Sequence, residues 1–164
     1  MKKTLLFTGI GILGISAMAL SGIDNLAHAQ DGKHYTGMEC VALGSDQSDI
    51  RYNTGRAFNP TTSTRRFYCP AVLDSHALDS GSWIYLWDRN YDDDISCQLR
   101  MQNSASTSYV YSSASTSGTS PTPTKHSFGT TGFYSDGMRY VTCLVPGTYE
   151  GNQSAVVSYR IEEA

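Results

Sequence analysis

"ISCQLRM", residues 95–101, alternates without a break: Ile95, Cys97, Leu99 and Met101 are apolar, while Ser96, Gln98 and Arg100 are polar. Successive side chains of a strand point to opposite faces, so this stretch reads as a strand with one face buried and the other in water. Val141, Cys143 and Val145 repeat the pattern beyond Arg139 and Tyr140. Helical periodicity is nearly absent after residue 29; instead, short runs of Tyr, Val, Ile, Phe and Trp recur between clusters of Gly, Asn, Asp, Ser and Pro. Strands are expected near 38–43, 50–58, 65–72, 82–88, 95–102, 107–115, 125–129, 138–145 and 154–162. So many short strands predict an all-β fold, an antiparallel two-sheet sandwich of jelly-roll-like form.

The N-terminus reads as an export signal. Lys2 and Lys3 precede an apolar run from Leu5 to Leu20, and Ala27-His28-Ala29 is a small-residue cleavage site, so residues 1–29 are expected to be removed. Ile23 stands where a lipoprotein signal would need its cysteine, which argues against a lipid anchor. The remaining residues, 30–164, are long enough for one sandwich domain, secreted or periplasmic, without a membrane anchor once the signal is cut. Without Lys2, Lys3 and Asp24, 10 basic and 14 acidic residues remain. That balance argues against a nucleic-acid partner.

Cys40, Cys69, Cys97 and Cys143 all lie in the exported part and are expected to form two disulfides. Three pairings are possible. Cys40 with Cys69 and Cys97 with Cys143 is preferred, because each bond then joins two expected strands and the alternation points Cys97 and Cys143 into the core. A zinc ion held by the four thiolates is disfavoured by the lack of any C-x2-C pair.

Four stretches, "RRFYCP" (65–70), "WDRNYDDDISCQL" (87–99), "MRYVTCLVPG" (138–147) and "VVSYRIEE" (156–163), resemble a widespread family of small, uncharacterised, secreted bacterial proteins. The resemblance implies a signal peptide, paired cysteines, a β-sandwich and a variable hairpin loop at the acidic run. It supplies no catalytic residues.

That run sets Asp88, Asn90 and Asp92 at the first, third and fifth places of a calcium loop, with Asp94 as a fourth candidate ligand. The motif then breaks, because Asp93 stands where the turn glycine belongs and Leu99 where the bidentate glutamate belongs. A hairpin turn over Arg89 to Asp94 is the expectation, with Asn and Asp side chains bonding their own backbone. If Asp88 faces Ile95 in that hairpin, Ile84 pairs with Leu99 and Leu86 with Cys97. Trp83, Tyr85 and Trp87 then share an outward face with Arg100, an aromatic platform suited to sugar rings or a partner surface. A one-residue slip of register would bury the aromatics instead.

Catalytic signals are weak. Asp74-Ser75-His76 holds three triad residue types on one turn, where neighbours rarely aim at one another, and no G-x-S-x-G elbow exists. His34 and His126 lack metal-ligand spacing, and Asp79 and Glu150 sit in apparent turns. No cofactor is expected. The sequence therefore predicts a non-catalytic binding or structural protein whose partner is a glycan or an extracellular protein. One alternative is an exported hydrolase using His76, Asp74 or Asp136; another is an inhibitor or effector presenting the loop from Gly118 to Thr124. Of the 21 residues from Ser104 to Thr124, 13 are Ser or Thr, yet Tyr109-Val110-Tyr111 marks 107–115 as a strand near a sheet edge rather than a linker.

Overall fold

The computed structural model describes residues 32–42, 48–72, 81–129 and 137–163. They form strands β1 (Lys33–Thr36), β2 (Val41–Ala42), β3 (Arg51–Asn53), β4 (Arg56–Phe58), β5 (Arg65–Ala71), β6 (Trp83–Trp87), β7 (Ser96–Gln102), β8 (Tyr109–Ser115), β9 (Thr124–Ser127), β10 (Met138–Val145) and β11 (Ala155–Ile161). A front sheet runs β3-β4-β11-β6-β9 with β1 also beside β11, and a back sheet runs β2-β5-β10-β7-β8. Every pairing is antiparallel. From β5 to β11 the chain passes repeatedly between the sheets, which is the jelly-roll manner of covering both apolar faces.

The core lies between the sheets. Ile84, Leu86, Val156 and Tyr159 of the front sheet meet Phe67, Leu99 and Val141 of the back sheet, all at most 2 % exposed. The alternation at 95–101 holds residue for residue: Cys97, Leu99 and Met101 are buried, and Ser96, Gln98 and Arg100 are not.

Three expectations are corrected. The segment Asp88–Ile95 is not a hairpin, because β6 lies in the front sheet between β11 and β9 while β7 lies in the back sheet between β10 and β8. Alternation fixes which residues share a face of a strand but not which strand lies beside it: both neighbours of β6 are distant in sequence, and β7 pairs with distant β10 and with β8, the strand that follows it. The stretch 50–58 is two strands. Thr54 and Gly55 have φ of 49° and 81°, the paired positive values of a tight hairpin turn that reverses the chain between β3 and β4. A short β1 pairs with β11 where no strand is expected, since KHYT carries too few apolar residues to register as one.

Cys40 is bonded to Cys69 and Cys97 to Cys143, as preferred from the sequence. Both bonds lie within the back sheet. Cys97 and Cys143 are direct cross-strand partners, and Cys40 stands opposite Cys69 by continuation of the Val41 to Tyr68 register. The Cα separation is 4.0 Å in each, the close spacing of a non-hydrogen-bonded antiparallel pair. The disulfides therefore pin neighbouring strands of one layer and leave the joining of layers to apolar packing and a few polar ties.

Tyr159 is one such tie. From β11 its hydroxyl donates to the Pro70 carbonyl in β5 at 2.5 Å, and its ring stacks on Tyr35 at 4.8 Å. Burial, with smaller contributions from Glu39 and Tyr35, pushes its pKa far above the ordinary 10.0. A raised folded-state pKa means that the native state holds the proton more tightly than the unfolded chain. The associated stability is complete below pH 10 and is lost as the pH climbs beyond it. Alkaline unfolding followed by circular dichroism should begin above about pH 10, and Tyr159→Phe should flatten that limb while costing about 1 kcal/mol at neutral pH. An alkaline limb identical in the two proteins would contradict this.

Candidate functional site

Strand β6 alternates Trp83, Ile84, Tyr85, Leu86 and Trp87, and β11 and β9 hold its even residues inward. Ile84 and Leu86 are fully buried, and the three aromatics lie half-buried on the outer face of the front sheet. The expected neighbour Arg100 is not among them. Arg100 belongs to the opposite face of the sandwich, on the back sheet, where its guanidinium lies 4.7 Å from the Tyr109 ring and donates to Gln98 Oε1. Arg100 therefore does not join the tryptophans in one surface.

Cations from other strands cover the aromatic stripe. Arg56 of β4 lies 4.8 Å over Trp87 and Arg89 of the crossover lies 5.2 Å from the same ring, while Lys125 of β9 lies 5.1 Å over Trp83. Phe58 meets Trp87 edge-on at 6.4 Å, and His34 meets Trp83 edge-on at 5.4 Å. Trp87 Nε1 donates to the Ser120 carbonyl at 3.2 Å, so the indole is held at its polar edge as well.

Two grooves meet here. One, of about 340 Å³, is lined by Arg51, Asn53, Phe58, Trp87, Arg89 and Gln153. The other, of about 250 Å³, is lined by Arg89, Tyr91, Thr119, Ser120, Pro121 and Asn152. Arg89 is common to both. The loop after Gly118 thus forms a wall of this site and is not a separate projection. The basic character escaped the sequence reading because Arg51, Arg56 and Arg89 are scattered along a mildly acidic chain. They gather because the tight Thr54-Gly55 turn lays β3 beside β4, and β4 and β6 flank the same end of β11.

The acidic run has another role. Asp88 is wholly buried. Its Oδ1 accepts from the Asn90 amide at 3.1 Å and from Ser154 Oγ at 3.0 Å; its Oδ2 accepts from the Ile95 amide at 3.0 Å and, very closely, from Thr116 Oγ1. Asn90 Oδ1 accepts from the amides of Asp92 and Asp93, the self-bonding turn expected of this composition, and its Nδ2 donates to the Gly147 carbonyl. Asp92 and Asp94 are exposed, and Asp94 Oδ1 accepts from the Gly118 amide at 2.7 Å. The oxygens of Asp88 thus face N–H and O–H donors, and no group of three or more His, Cys, Asp or Glu among the described residues is placed to hold a metal ion. Nearby Asn59, also fully buried, donates to the Ser63, Val145 and Pro146 carbonyls and accepts from Thr61. Together these side chains close one end of the sandwich, directly behind the grooves.

Asp74, His76 and Asp136, the candidates for a hydrolase, lie outside the described residues, as does the signal segment 1–29. His126 shares a hydrogen bond with Thr124 Oγ1 at 2.7 Å. No helix among the described residues is long and apolar enough to cross a membrane. No family model matches the chain, and neither does any curated protein.

Proposed function

We propose that the protein is an exported, non-catalytic binding module that recognises a glycan through the outer face of its front sheet. Two disulfides fit an oxidising compartment, secreted or periplasmic, and the likeness to small exported bacterial sandwich proteins belongs to the same reading. The observation that carries the proposal is Trp87, with the guanidinium groups of Arg56 and Arg89 at 4.8 and 5.2 Å from its ring, beside two polar-lined grooves that share Arg89. Rigid β-strands present these side chains, as a preorganised recognition surface requires. Trp87→Ala should weaken binding in a glycan array by about tenfold or more while near-ultraviolet circular dichroism stays native.

A second reading is favoured by the back sheet, where Tyr109 and Tyr111 are 50 % and 52 % exposed beside Arg100. Tyrosine with arginine is the composition of a protein-contact surface. Capture of a protein partner that is indifferent to Trp87→Ala would move recognition to that face.

A further inference from the structure

We propose that the ligand of this face is an acidic saccharide chain, whose carboxylate or sulfate groups are taken by Arg51, Arg56 and Arg89 around Trp87. The inference rests on the glycan reading above and specifies its charge class. A guanidinium lying over an indole presents its plane to the ring and keeps its N–H edges pointing away from it, which is the fork that matches a carboxylate or sulfate in a bidentate manner. Two other arginines are paired with the protein's own acids, Arg65 Nη2 at 2.8 Å from Asp49 and Arg160 Nε at 2.6 Å from Glu162, and Arg100 is held by Gln98 Oε1. No such pair engages Arg51, Arg56 or Arg89 among the described residues, and no acid lines either groove.

Three arginines are thus collected beside Trp87 on a net-acidic protein without an internal counter-charge. Because arginines cover Trp87, a neutral sugar has little bare indole on which to stack, whereas an anionic one completes an existing cation–π arrangement. The remaining lining, with Asn53, Gln153, Asn152, Thr119 and Ser120, offers amides and hydroxyls for sugar hydroxyls. Two grooves sharing Arg89 suit consecutive residues of a chain better than a single small anion.

The test titrates the disulfide-intact protein with oligogalacturonate, dextran sulfate, neutral dextran, poly-glutamate and inorganic sulfate, at low and physiological ionic strength. The acidic saccharides should bind, weaken with salt, and lose about tenfold or more in affinity in each of Arg56→Gln and Arg89→Gln. Arg89→Lys should not restore binding, since it keeps the charge and loses the fork. Arg66→Gln, on the outer face of the back sheet, serves as the control and should leave binding unchanged. Neutral dextran binding as well as oligogalacturonate would overturn the acidic class and leave the glycan reading standing. Acidic binding undiminished in the arginine variants would overturn the site. Poly-glutamate or sulfate binding as tightly as the saccharides would overturn the saccharide assignment, and failure of every saccharide to bind would overturn both readings.

Discussion

Asp88→Ala is expected to cost about 4 kcal/mol, a large share of the stability of a small domain, because it strands several buried donors at once. The amides of Asn90 and Ile95 and the hydroxyls of Ser154 and Thr116 all donate to this carboxylate. They arrive from the crossover, the end of β8 and the entrance to β11, so one side chain holds together segments of both sheets. Alanine removes every acceptor while leaving the donors out of reach of water, where each costs about 1–3 kcal/mol. Asp88→Asn should do little better, since its amide turns an N–H toward groups that are themselves donors. Thermal unfolding should show a loss of about 15 °C, and the wild-type curve should not respond to EDTA. A melting point within a few degrees of wild type for Asp88→Ala, or a marked fall on chelation, would show that the carboxylate is not the clasp described.

The second large effect belongs to the back sheet. Cys97 and Cys143 are 46 residues apart in sequence and Cys40 and Cys69 are 29 apart. In the chain-entropy account, closing such loops stabilises the fold by about 4 and 3.5 kcal/mol respectively. Losing both would exceed half the stability of a typical domain. Urea titration should place the midpoint of the Cys97→Ala/Cys143→Ala protein well below wild type, with the Cys40→Ala/Cys69→Ala protein slightly less affected and the reduced protein largely unfolded at growth temperature. Because both bonds lie in one layer, the front sheet should unfold in the same transition, carried by the shared core and by ties such as Tyr159 to Pro70. A midpoint insensitive to reductant would refute the stabilising role.

Much of the fold was legible. The alternation at Ile95 to Met101 predicted its buried face correctly, and the outward placement of Trp83, Tyr85 and Trp87 followed from an assumed hairpin that does not exist. The pleat alone sets 83, 85 and 87 on one face and 84 and 86 on the other, but all five are apolar, so which set is buried was decided by the packing of β6 between β11 and β9. What failed was adjacency. Arg100 was grouped with the tryptophans because β7 follows β6 in the chain, whereas the crossover at Asp88 carries it to the far side of the sandwich.

Asp88 shows the same limit. An acid in a polar run reads as a solvated turn, and nothing local announces that donors from positions 95, 116 and 154 will converge on it. Local chemistry did succeed at Asn90, whose side chain bonds amides two and three residues ahead.

By itself, the sequence determined the all-β class, the buried face of strands that alternate as cleanly as 95–101, and an even set of cysteines suited to two disulfides, because these depend on composition and on intervals within a segment. Only the tertiary structure decided which strands lie side by side, which acid is buried and which arginines gather around Trp87. Those outcomes depend on contacts between segments tens of residues apart, and no period along the chain encodes such contacts.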